Sequence, residues 1–211
     1  YNTAVGYDAL TATTSGSSNT ATGVKALGEN TTGSYNSATG GNAMGSNTTG
    51  NYNVGAGYDA LAKNTTGSYN TATGMQALEF NTTGDDNTAS GYNALYANTT
   101  GEYNQAVGYG ALQANTTGSS NQGFGAFSLM SNTTGDRNIA IGTQANDAAD
   151  TENDNLAIGH AALGGSIAGG EYNVAIGNYS LDANTSGDEN VAVGYSSLGA
   201  NTTGKAVSYT H

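Results

Sequence analysis

The chain repeats itself every seventeen residues, and that period decides most of what it can become. Cut from Tyr1, the segments open at Tyr1, Ser18, Tyr35, Tyr52, Tyr69, Asp86, Tyr103, Ser120, Arg137 and Asp154. One extra residue in the tenth moves the next starts to Tyr172 and Glu189, and a partial copy begins at Ala206. Twelve copies follow x-N-[TVI]-A-[VTI]-G-Y-x-A-L-x-x-N-T-T-G-x. Positions 2 and 6 are Asn and Gly in every copy, and position 4 is always Ala or Gly. Position 10 is Leu except at Met44 and Asn146, and position 16 is Gly in all but the ninth copy.

Seventeen residues cannot bury a core alone, so the copies must stack. Each holds two short runs, N-T-A-V and Y-x-A-L, separated by turn chemistry at Gly6 and at N-T-T-G. Such runs are too short for helices but long enough for strands. The pattern therefore predicts an all-β fold, a parallel β-solenoid or β-roll with one coil per repeat. Twelve coils at the ~4.8 Å strand spacing make a rod of roughly 60 Å. Residues 1–211 read as one repeat domain with an irregular joint over 146–171, and the pattern already running at Tyr1 reads as a fragment of a longer fibre. Small residues at position 4 should point inward beside the recurrent Leu, which turns positions 3 and 5 outward. Gly at position 6 suits a corner needing positive φ or close passage of the next coil. Asn at position 2 suits an amide ladder along the axis.

Composition narrows the function. Leu, Ile, Val and Phe make 27 of 211 residues, which alone would suggest disorder; only their periodic placement argues for a fold. Sixteen acidic residues against Lys25, Lys63, Arg137 and Lys205 give a net charge of −12, which disfavours nucleic acid and anionic membranes as partners. No apolar run reaches the length of a membrane span. The absence of cysteine excludes disulfides and thiol chemistry. His160 and His211 are the only histidines, and no triad or metal spacing surrounds them. The residues read as non-enzymatic, with no cofactor.

Three local patterns remain as candidate sites. Asp147, Asp150, Glu152 and Asp154 gather carboxylates that could hold Ca²⁺, although the ordered spacing and bend glycine of a calcium loop are missing, and a solvated loop is the favoured reading. Asn30, Asn47, Asn64, Asn81, Asn98, Asn115, Asn132, Asn184 and Asn201 each open an N-x-[ST] triplet before a Gly turn. They could carry covalent glycans, or serve as turn residues only. Asn178 also fits the triplet but falls in an expected strand. Ile139, Ile141, Leu156, Ile158, Val174, Ile176, Val191 and Val193 stand at positions 3 and 5 of the last copies. Eight outward aliphatics need cover, which reads as an oligomer seam. Two further readings stay open on the same scaffold: an ice-binding face from Thr20/Thr22, Ser37/Thr39, Thr71/Thr73 and Thr88/Ser90, and sugar binding through a tyrosine stripe at Tyr1, Tyr35, Tyr52, Tyr69, Tyr103 and Tyr172.

The phrases Asn138-Ile139-Ala140-Ile141-Gly142, Asn155-Leu156-Ala157-Ile158-Gly159, Asn173-Val174-Ala175-Ile176-Gly177 and Asn190-Val191-Ala192-Val193-Gly194 resemble the head repeats of YadA-like trimeric autotransporter adhesins. Tyr1 to Leu10 is also similar to repeats of phage and bacterial tail and surface fibres. The resemblance spans essentially the whole chain. It implies a left-handed parallel β-roll of three chains, used as a stiff stalk or adhesive head. The implied setting is extracellular, on a cell surface or a virion tail fibre. The implied partners are copies of the chain itself, in a homotrimer or longer fibril, and a host or surface receptor or glycan.

Overall fold

The computed structural model describes residues 1–148, 150–165 and 170–210. His211 and parts of the expected joint (149 and 166–169) lie outside the described residues. Each repeat contributes one three-residue strand from positions 3–5: β1 (Thr3–Val5), β2 (Thr20–Thr22), β3 (Ser37–Thr39), β4 (Val54–Ala56), β5 (Thr71–Thr73), β6 (Thr88–Ser90), β7 (Gln105–Val107), β8 (Gln122–Phe124), β9 (Ile139–Ile141), β10 (Leu156–Ile158), β11 (Val174–Ile176), β12 (Val191–Val193) and β13 (Ser208–Thr210). They form one parallel sheet in sequence order, a β-solenoid of about twelve turns. Register advances by one repeat per strand, Thr3 opposite Thr20 and Ala4 opposite Ala21. Across β10 and β11 the step is eighteen, Leu156 opposite Val174, so the extra residue is absorbed outside the sheet.

The alternation along each strand sorts the faces. Position 4 is fully buried from Ala21 to Ala192, and it meets the buried Leu column (Leu27, Leu61, Leu78, Leu95, Leu112, Leu129) and an Ala column at position 9. The core is thus two columns of methyl groups and one of isobutyl groups, which is why so few large apolar residues suffice.

The second expected strand is absent. Positions 7–12 form turns, with left-handed backbone at positions 8 and 10, as at Asp59 (φ 55°) and Leu61 (φ 53°). Asn178 accordingly lies in a turn rather than a strand. The backbone still pairs between coils through these turns: Lys25 N–H donates to Tyr7 O at 2.8 Å, and Leu27 N–H to Ala43 O at 3.0 Å. Among the described residues, the inner coils thus satisfy most of their amides against neighbouring coils. The cost of left-handed leucines is offset by packing that a straight strand would not give.

Gly at position 6 is required twice over. Its φ runs from 127° to 147°, and a Cβ at Gly108 would overlap the carbonyl of Gly125 in the next coil.

Candidate interaction surface

Two asparagine ladders line the inside of the coil. At position 2, Asn87 N–H donates to Asn70 Oδ1 (3.0 Å), and Asn87 Nδ2 donates to Gly101 O (2.8 Å). The same pair of bonds recurs along the rod, as at Asn36 and Asn53. The N-T-T-G asparagines form the second ladder. Asn81 Nδ2 donates to Asn64 Oδ1 (2.8 Å) and to Gly84 O (3.0 Å), and Asn47, Asn64, Asn98, Asn115 and Asn132 repeat it. Asn30, Asn47, Asn64, Asn81, Asn98, Asn115, Asn132 and Asn184 are fully buried, and Asn201 is half-buried. A sugar needs the amide nitrogen that these bonds occupy, so the geometry gives the corner a structural job. From Thr31 to Thr133, and again at Thr185, the threonine after the Asn bonds the next coil, as Thr65 Oγ1 does to Thr82 O at 2.9 Å.

A third ladder runs along position 17, where short polar side chains accept from the preceding coil's backbone. Ser68 N–H donates to Asp85 Oδ1 (2.7 Å), and Ser119 N–H to Asp136 Oδ1 (2.7 Å). Nothing in the reading of single motifs singled out this column. The restriction of position 17 to Ser, Asn, Asp or Glu in copies 1–11 was the available signal.

The acidic cluster is dispersed into structural roles. Asp154 takes a two-pronged bond from Arg137, with Nε and Nη2 each 2.7 Å from a carboxylate oxygen. That hydrogen bond and the guanidinium charge hold the Asp154 carboxyl below its ordinary range. Glu152 is buried, and its Oε2 accepts from the backbone N–H groups of Asp150 (2.7 Å) and Thr151 (3.0 Å). Its carbonyl stands in for the missing position-16 glycine, accepting from Asn138 Nδ2 at 2.6 Å. Asp150 accepts from the Thr133 hydroxyl, and burial pushes the Asp147 carboxyl up. Among the described residues no three His, Asp or Glu side chains gather as a metal site. The ring of His160 lies edge-on to Tyr179, with its Nδ1 3.1 Å from Thr143 O.

The outer face of the sheet is the surface with the most regular chemistry. Positions 1, 3, 5 and 7 alternate outward, giving four columns parallel to the axis. In β1–β6 the central two columns hold mostly Thr and Ser, with Val5 and then Val54 and Ala56 interrupting; Thr20, Thr22, Ser37 and Thr39 are exposed. In β9–β12 the same columns hold Ile139, Ile141, Leu156, Ile158, Val174, Ile176, Val191 and Val193, all exposed or half-exposed, with Ile141 at 42%. Their register is exact enough to bring like residues together: Ile141 opposite Ile158, and Ile158 opposite Ile176.

At position 1, Tyr35, Tyr52 and Tyr69 stack face to face. Their ring centroids are 4.8 and 5.1 Å apart, with interplanar angles of 3° and 4°. All three remain about half exposed, at 55%, 48% and 58%. Both faces of Tyr52 are covered by its neighbours, so this part of the stripe offers a sugar ring no central platform. Compared with family models, curated proteins and solved structures, the chain gives no match.

Proposed function

We propose that the chain is a non-enzymatic, rigid shaft or head segment of an extracellular fibre, a left-handed β-roll assembled as a homotrimer in the manner of the head repeats it resembles. The observation that carries this reading is the pair of in-register aliphatic columns on β9–β12, eight side chains on the outer face of the sheet, each exposed or half-exposed. A soluble rod with net charge −12 gains nothing from such a stripe unless another chain covers it. The Gln105 and Gln122 pair, beside Thr and Ser in the earlier coils, marks where the seam loosens. Replacing Ile141 and Ile176 together by Asp is expected to convert trimers into monomers that keep their β circular dichroism. Light scattering reads the change as a roughly threefold fall in mass. Persistence of the trimer would overturn the seam.

A second reading, ice binding, draws on the exposed Thr and Ser pairs of β2, β3, β5 and β6, which repeat at one spacing along the axis and another along each strand. Val54, Gly55 and Ala56 break the array in its middle. The shaft reading expects no more thermal hysteresis than a non-binding protein gives at equal concentration. Hysteresis abolished by Thr73→Tyr would instead favour the ice face.

A further inference from the structure

The geometry points to a covalent modification site: we infer that Tyr35, Tyr52 and Tyr69 form an oxidative coupling site, at which phenols of adjacent coils join as dityrosine. The fold sets the reaction up. In-register stacking places three phenol rings on successive coils, parallel within 4° and about 5 Å apart, each half in solvent. Holding two reactive rings side by side replaces a slow encounter between radicals with a local one, raising their effective concentration. Other tyrosines of the column lack such a partner. Tyr103 has Asp86 and Ser120 at the corresponding positions of its neighbouring coils, and Tyr172 has Asp154 and Glu189. The Tyr92–Tyr109 pair is inclined by 19°, and Tyr92 is less exposed.

The chemistry balances with a peroxide oxidant working through a haem peroxidase. Each phenol loses its hydroxyl hydrogen as a proton and an electron, giving two phenoxyl radicals. These join through the ring carbons ortho to oxygen, forming one C–C bond. The hydrogen on each joined carbon then leaves as the ring regains aromaticity, and each oxygen recovers a proton. Two hydrogen atoms are lost in total, and hydrogen peroxide accepts them to become two waters. The product ties one coil to the next. In a chain without cysteine, such a tie supplies the staple that a disulfide would otherwise provide.

The test treats the intact chain at high dilution with hydrogen peroxide and a haem peroxidase. It then follows dityrosine fluorescence, a denaturing gel and peptide mapping. The expected result is blue fluorescence in a band of single-chain mass, with cross-linked peptides joining Tyr35 to Tyr52 or Tyr52 to Tyr69. Tyr52→Phe keeps the stacked ring but removes the shared phenol hydroxyl, and it should lower the yield about tenfold, because the remaining phenols, Tyr35 and Tyr69, lie two coils apart. Tyr103→Phe should leave the yield unchanged. The inference is overturned if no dityrosine forms, if the linked chains run as dimers or trimers on the gel, or if Tyr52→Phe couples as well as the parent.

Discussion

Gly108→Ala is expected to lower stability by about 4 kcal/mol and to melt the middle of the rod first. The backbone there has φ of 138°, a region that costs a side-chain-bearing residue roughly 1–3 kcal/mol. The added methyl would also meet the carbonyl carbon and oxygen of Gly125, and relieving that overlap costs about 1–3 kcal/mol more. Neither penalty can be relaxed locally, because Gly125 is itself held against Gly142 in the same way. In a stacked array each coil leans only on its neighbours, so the loss should appear first as faster amide exchange in coils six to eight. A variant with the parent's urea midpoint and exchange pattern would show that the position-6 corner is not built as described.

The opposite effect is expected at Asn146. This residue sits in the Leu column between Leu129 and Leu163, is fully buried, and neither its Nδ2 nor its Oδ1 has a hydrogen-bond partner among the described residues. An unpartnered buried amide costs about 1–3 kcal/mol, and the leucine side chain adds apolar burial. Part of the gain is offset by the left-handed backbone (φ 48°), which asparagine adopts more readily than leucine. Leucines at the same position nevertheless hold φ near 50°, as Leu27 does. Asn146→Leu should therefore stabilise the chain by about 2 kcal/mol, read as a raised thermal midpoint and a higher urea midpoint. An unchanged or lowered midpoint would mean that the amide is serving the fold at that coil.

The two variants mark the boundary of what the amino-acid sequence reveals. The period, the inward Ala at position 4, the Leu column and the position-2 asparagine ladder were all legible, because each is a demand repeated at one place in every coil. The Y-x-A-L segment was not. Its left-handed residues include Gly110 and the tolerant Asp8, Asn42, Asp59 and Asn93, but also Lys25, Leu27 and Met44, so the local turn signal is present in only some copies. Here the tertiary gain of packing leucine into the coil overrides local preference. The N-T-T-G asparagines were readable as turn residues or as exposed acceptors for modification. Only stacking reveals that from Asn30 to Asn132 the amides bond one another from coil to coil, since each partner is seventeen residues distant and identical. Asp154 was legible as an acid but not as Arg137's partner, for the same reason: the pairing exists only between coils.

Strand order that follows sequence order has a consequence for heredity as well as for shape. Any coil of the regular stretch presents the same backbone edge above and below, as β4 to β7 do. Unequal exchange between near-identical stretches of the gene would add or remove whole coils and join surfaces already made for one another. Reach then changes in steps of ~4.8 Å, without a new interface having to be invented. The eighteen-residue step between β10 and β11 is the exception, a place where exchange out of phase would misalign the columns. Length in this design is a count of copies rather than a property of any single residue.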